Sequence, residues 1–238
     1  MPRYDGPLLS ANGLTRAYGR LQVLRGLDLT LESGDALAVV GANGAGKTTL
    51  LRVLAGLMRP SAGEVRVEGR LLSAGDPDAR RPLGLVSHHS LLYDDLSLLD
   101  NLMFAARLYG LRDPRRTSLA ALETVGLGSR ADESPRRLSR GMVQRAAIAR
   151  ALLHQPSVLL MDEPFTGLDS PAALQLRALL AAHAGAGRAL VIVTHQLAEA
   201  WELASRIAVL VGGRWALEER RTGDVGAFLP RYHALTSA

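Results

Sequence analysis

Gly41-Ala42-Asn43-Gly44-Ala45-Gly46-Lys47-Thr48-Thr49 fits the spacing G-x-x-x-x-G-K-[ST], and its flanks give that spacing mechanical meaning. The residues before it, Ala36-Leu37-Ala38-Val39-Val40, form a short apolar run of buried-strand type. Those after it, from Thr49 to Ala55, predict a helix. Glycines between a strand and a helix let backbone N–H groups curl around a polyphosphate, and the helix N-terminus adds partial positive charge. Gly41, Asn43, Gly44, Ala45 and Gly46 then form a cradle that continues through Lys47, Thr48 and Thr49. Lys47 reaches the outer phosphates and the Thr48 hydroxyl serves a Mg²⁺ ion. A glycine turn beside an exposed lysine is the bland alternative, and the strand–loop–helix order disfavours it.

At 238 residues the chain can bury a full interior, as one large domain or as a core with a smaller lobe. Apolar residues make up 47% and aromatic residues 4%, so that interior must be built mostly from Leu, Val and Ala. Charged residues, at 21%, are mixed along the chain, which argues against disorder. With no cysteine, disulfides, thiolate-bound zinc, iron–sulfur clusters and thiol nucleophiles are excluded, and a cytosolic setting is expected. The N-terminal residues lack the apolar stretch of a signal peptide, and no run reaches 18 apolar residues, so no membrane span is expected. The net charge of +5 is carried by arginines scattered in pairs, such as Arg80-Arg81 and Arg136-Arg137. That pattern reads as solvated surface rather than nucleic-acid recognition, and attraction to an anionic membrane surface explains it equally well.

Leu27-Asp28-Leu29-Thr30-Leu31 and Val65-Arg66-Val67-Glu68 alternate as half-buried strands do, with turn signals at 32–35, 59–63 and 74–77. From Leu98 the period lengthens. Leu99, Leu102, Met103, Ala106 and Tyr109 share helical spacing, with Gly110 as the stop. Further helices are predicted over 117–125, over 140–153 with Ser139 as N-cap, over 171–182, and up to Trp201. Strands are predicted over 158–161 and 189–193, followed by a last hairpin from Ile207 to Leu217 turning at Gly212-Gly213. Strand–helix alternation after Ala151 implies a parallel sheet covered on both faces, interrupted by a helical lobe.

Val158-Leu159-Leu160-Met161-Asp162-Glu163 is an apolar strand ending in two acids. Carboxylates at the C-terminal end of a buried parallel strand lie in the crevice where open α/β sheets bind ligands. Asp162 is placed to hold Mg²⁺ opposite Thr48, and Glu163 to polarise a water for in-line attack on a terminal phosphate. An acidic strand end before the Pro164 turn is the structural alternative. Its weight falls once the glycine loop is considered with it.

Leu138-Ser139-Arg140-Gly141-Met142, followed by Gln144-Arg145 and the Asp162-Glu163 strand, matches the signature order of one family. Over nearly its whole length the chain resembles the ATP-binding subunits of ATP-binding-cassette transporters. The resemblance implies an α/β fold: a P-loop NTPase core with parallel sheet, an antiparallel β subdomain and an inserted α-helical subdomain. It places the core at residues 1–89 and 146–238 and the helical subdomain at 90–145. It implies ATP and Mg²⁺ as cofactors, and a head-to-tail dimer in which Ser139, Arg140 and Gly141 cap the nucleotide of the partner copy. A hydroxyl, a glycine N–H and a helix N-terminus do form a donor cluster for an anion. Tyr18 corresponds to the aromatic that stacks on adenine, Asp169 to the loop through which subunits communicate, and His195 to the histidine contacting the terminal phosphate.

Two positions depart from the family pattern. Where the family generally carries a glutamine that ligands Mg²⁺, Gly84-Leu85-Val86-Ser87-His88-His89 offers His89, a poorer direct ligand for a hard cation, or a residue this loop merely tolerates. Arg140 replaces the usual second glycine of the signature. The absence of coiled-coil, zinc or second-cassette insertions points to transport, with transmembrane permease subunits on separate chains and a homodimer or cassette heterodimer at the inner face of the cell membrane. No regulatory domain is expected after the hairpin, and no direct nucleic-acid binding. Leu91 to Leu102, continuing to Leu108-Tyr109-Gly110-Leu111, is similar to export-type cassettes, those serving haem export in cytochrome c maturation in particular. The alternative is a non-transport or regulatory cassette ATPase acting on nucleic acid or a protein partner.

Overall fold

The computed structural model describes residues 4–73 and 76–237. In chain order its elements are β1 (Leu9–Tyr18), β2 (Leu21–Leu31), β3 (Ala36–Val40), α1 (Lys47–Leu54), β4 (Ala62–Val67), β5 (Arg70–Leu71) and α2 (Pro77–Arg80). They continue with β6 (Leu83–Val86), α3 (Leu98–Leu108), α4 (Pro114–Thr124), two short 3-10 turns and α5 (Arg140–Leu152). The last are β7 (Val158–Asp162), α6 (Ser170–Gly185), β8 (Ala189–Val193), α7 (Leu197–Trp201), β9 (Arg206–Val211), β10 (Arg214–Arg220) and α8 (Val225–Thr236).

The alternating segments and the continuous apolar runs form separate sheets, as their patterns require. An antiparallel sheet has the order β2-β1-β4-β5. In β2, Leu27, Leu29 and Leu31 are buried while Asp28 and Thr30 are exposed, so one face is wet. The second sheet has the order β10-β9-β3-β8-β7-β6; it is parallel from β9 to β6 and antiparallel only at the β10 edge. All five residues of β3, β7 and β8 are buried, which is why these strands are apolar except for Asp162 at the end of β7.

Strand periodicity divides the core. Leu37 and Val39 point to one cluster, shared with Leu50 and Leu54 of α1 and the leucines of the antiparallel sheet. Ala36, Ala38 and Val40 point to the other, shared with Leu176 and Leu180 of α6 and Trp201 of α7. Each leucine or valine fully buried this way contributes roughly 1.5–3 kcal/mol before entropy is counted.

A third cluster belongs to the helical block: Leu98, Leu102 and Ala105 of α3 and Leu122 of α4 pack with Ala146 and Ala149 of α5. Helix α5 is continuous through residues 145 and 146, and its Ile148 and Ala151 pack into the sheet cluster instead. One helix therefore carries both surfaces.

Several boundaries differ from expectation for identifiable reasons. Helix α4 starts at Pro114, three residues early, because Asp113 caps it by accepting from the Arg116 N–H at 3.2 Å and proline fits the first turn. Helix α6 begins at Ser170 and runs on to Gly185. The final helix α8 was not anticipated: Pro230 inside it and Gly226 near its start mask its pattern. It is capped by Asp224 and anchored by Phe228, which packs on Trp201 at 5.1 Å between ring centroids. The turn expected around Ala74 and Gly75 lies outside the described residues.

Candidate functional site

The phosphate loop hangs between β3 and α1 and is held by two glycine contacts. Gly46 adopts φ 107°, and a Cβ there would sit 3.0 Å from the Val23 carbonyl oxygen. Gly213, at the β9–β10 turn, donates its N–H to the Ala45 carbonyl at 3.2 Å, and a Cβ on it would lie 2.2 Å from that same Val23 oxygen. Only glycine allows both approaches. The hairpin turn thus buttresses the loop from behind.

Asn43, Gly44, Gly46, Lys47, Thr48 and Thr49 line one wall of a cavity of about 740 Å³, with His88, His89, Asp162 and Glu163 opposite. That volume suits a nucleotide-sized ligand. Lys47, 8% exposed, donates from Nζ to the carbonyls of Gly41 at 2.7 Å and Ala42 at 3.0 Å. Burial lowers its pKa, against the opposing pull of the Glu163 and Asp162 charges. Burial likewise raises the Asp162 pKa, partly offset by the hydrogen bond from Thr48, with Glu163 adding to the rise and the His88 and Lys47 charges opposing it. A phosphate beside Lys47 and a cation beside Asp162 would each restore the charged form.

The Thr48 hydroxyl donates to Asp162 Oδ2 at 3.2 Å, joining the two motifs across the sheet. Two hard oxygens in this position fit Mg²⁺. No group of three or more His, Asp or Glu among the described residues is arranged to hold a metal alone, so such an ion would take further ligands from phosphate and water.

Glu163 is the most constrained acid. It sits at φ 53°, a left-handed conformation that costs a non-glycine residue on the order of 1–3 kcal/mol. Its Oε1 accepts from the His195 backbone N–H at 2.9 Å and lies 2.6 Å from His195 Nδ1; its Oε2 accepts from the Thr194 hydroxyl at 2.8 Å. The end of β8 therefore pins the carboxylate at the end of β7. Thr194, 1% exposed, escaped the sequence reading because nothing in a strand-end threonine signals a partner 31 residues away.

The remaining predicted residues, His89 apart, lie elsewhere. His89 does line the cavity, but His88 is the imidazole whose charge Asp162 feels. Tyr18 is 44% exposed at the end of β1 and is not among the residues lining the cavity. Arg16 stacks over its ring at 4.8 Å and its hydroxyl meets Met58 Sδ at 3.0 Å. Ser139 and Arg140 are exposed at the start of α5, where Ser139 Oγ accepts from the Met142 N–H at 3.3 Å. Gly141 sits so close to the loop after β7 that a Cβ would lie 2.8 Å from the Gly167 carbonyl. Asp169, in that same loop, caps α6 by accepting from the Ala172 N–H at 2.9 Å. The signature segment and the 165–169 loop are thus one contiguous surface.

A family profile described as ABC transporter matches residues 24–166, a span that includes the phosphate loop, the signature segment and both strand-end acids. The chain is 43% identical over 193 residues to the cytochrome c biogenesis ATP-binding export protein CcmA of Cupriavidus necator, covering 81% of this chain and 85% of that one. It is 39% identical over 213 residues to the sulfate/thiosulfate import ATP-binding protein CysA of Methylococcus capsulatus, covering 87% of this chain but only 61% of that longer protein. Among solved structures, it is similar to a dimeric ATP-binding cassette in a post-hydrolysis state with ADP and phosphate. The TM-score there is 0.84 at 28% identity, over 90% of this chain and 99% of that one. With the profile spanning Lys47 and Glu163, and close relatives matching over most of its length, the chain belongs to the ABC transporter family as an ATP-binding subunit, an ATPase.

Proposed function

We propose that two cassettes, two copies of this chain or this chain and a related one, close head to tail around two MgATP molecules. In this reading they drive an export-type permease carried on separate chains, from the cytoplasmic face of the membrane. The observation that carries the dimer is the placement of the signature. Ser139 and Arg140 are exposed, neither lines the cavity of its own chain, and both share a surface with the 165–169 loop. A donor cluster at a helix N-terminus that points at no anion of its own chain suits one presented by a facing copy. A similar cassette is dimeric. No helix of the described residues is long and apolar enough to cross a membrane.

In this assignment the phosphate loop and Lys47 hold the triphosphate, Thr48 and Asp162 hold the metal, and Tyr18 supports the base. Mg²⁺, when bound, would neutralise charge on the phosphate oxygens. Glu163, pinned by Thr194 and His195, orients a water and takes its proton; His195, held against that carboxylate, keeps the geometry as charge develops.

Export, and haem export for cytochrome c maturation within it, is supported by the likeness to CcmA over 85% of that protein's length. Deleting the gene should abolish covalent haem attachment to c-type cytochromes, read by haem staining of membrane proteins. Normal cytochromes with failed uptake of a nutrient would move the assignment to import.

His89 offers a separate test. An amide oxygen is a better ligand for Mg²⁺ than an imidazole, so His89→Gln is expected to lower the Mg²⁺ concentration giving half-maximal phosphate release by about tenfold. An unchanged Mg²⁺ titration would remove His89 from the metal's surroundings.

A further inference from the structure

Tyr109 and His154 lie face to face, their ring centroids 3.7 Å apart and their planes 3° from parallel. Tyr109 is the C-cap of α3, the first helix of the helical block, and the carbonyl of the same residue accepts from Arg81, the residue that caps α2. His154 follows α5. Its Nε2 lies 3.1 Å from the carbonyl oxygen of Leu83, the first residue of β6, and must carry the hydrogen there. Four residues earlier, Arg150 donates to the Leu85 carbonyl at 3.2 Å.

These contacts have one topological origin. β6 is the edge of the parallel sheet, so carbonyls on its outer side have no neighbouring strand. Leu83 and Leu85, two apart, point the same way, and His154 and Arg150 meet them. The other side of β6 is in parallel register with β7, pairing Val86 with Met161, the residue before Asp162. Three residues beyond β6, His89 lines the phosphate cavity. A strand of four residues, about 13 Å long, therefore has the stacked pair at one end and the cavity at the other.

We propose that the Tyr109–His154 stack is the joint through which the helical block positions the turn at 87–89 in the nucleotide cavity, so that both residues are positioning residues for ATP hydrolysis. Any rotation of α3 relative to the sheet must slide or open two parallel rings, and the contact beneath them pulls on β6. Burial, reinforced by the charges of Arg150 and Arg81 against the pull of the Leu83 carbonyl, lowers the His154 pKa to about 4. The imidazole is therefore neutral near pH 7 and keeps the single Nε2 hydrogen the contact needs.

The inference rests on the ATPase assignment, and the test separates the two. Tyr109→Leu removes the stack, and Tyr109→Phe retains it. In the full chain, Tyr109→Leu is expected to lower kcat for MgATP about tenfold with KM within twofold of wild type, and Tyr109→Phe to match wild type. Amide exchange at residues 87–89 should quicken in Tyr109→Leu while that of β3 stays unchanged. If Tyr109→Leu folds poorly, His154→Gln, which keeps a donor for Leu83 without the ring, should reproduce the same kcat loss. Unchanged kcat, a loss that phenylalanine does not restore, or unaltered exchange at 87–89 would overturn the joint. A wild type without turnover would overturn the ATPase assignment instead, and the exchange comparison would still judge the joint.

Discussion

Glu163→Gln lowers ATP turnover by about a thousandfold and leaves the dissociation constant for ATP within twofold of wild type. The magnitude follows from general-base catalysis, which supplies roughly 10²–10⁴-fold. The isolation of the effect follows from the geometry. Glutamine has the same length, its oxygen can still accept from the His195 N–H, and its amide can donate to Thr194, whose hydroxyl rotates to accept. The strained backbone at φ 53° is retained, so what is lost is the capacity to take a proton. Single-turnover phosphate release checks the rate and titration calorimetry the affinity. Turnover within tenfold of wild type would mean that another group activates the water.

Lys47→Ala has the opposite signature, with ATP affinity falling about a hundredfold. A charge-assisted hydrogen bond contributes about 1.5–3 kcal/mol, and each 1.4 kcal/mol is tenfold in a dissociation constant. The substitution should barely alter the melting temperature without nucleotide. Losing two carbonyl contacts, to Gly41 and Ala42, is offset by removing an ammonium that burial already disfavours. The discriminating result is the difference in melting temperature with and without MgATP, which should be large for wild type and small for the variant. A variant that still gains the wild-type increment would show that the loop's backbone alone holds the nucleotide.

The parts of this molecule that could be read from residues are those where local chemistry and tertiary context agree. β3 is apolar because it is covered on both faces, and the strand next to it in chain order, β2, alternates because only one face is covered. Ser139 caps α5 as its position suggests, and the strand-end acids lie opposite the glycine loop. Other features depend on distant partners. β1, with Asn12-Gly13 and Arg16 along it, owes its register to β2 and β4 and carries bulges that blur any alternation. Helix α8 is held by the Trp201–Phe228 contact and not by its own propensity. Thr194 acquires its role only when β8 lies beside β7. Val23, in the exposed half of β2, shapes the phosphate loop through its carbonyl oxygen, and a backbone atom has no residue-type signature.

The closed dimer is the claim on which the catalytic assignment depends, because Ser139 and Arg140 do not line the cavity of their own chain. Sedimentation of Glu163→Gln measures it directly. With saturating MgATP the account predicts a species of twice the chain's mass that reverts to one copy when ADP replaces ATP. A Glu163→Gln chain that binds ATP yet stays a single copy, both alone and with its permease supplied, would contradict it.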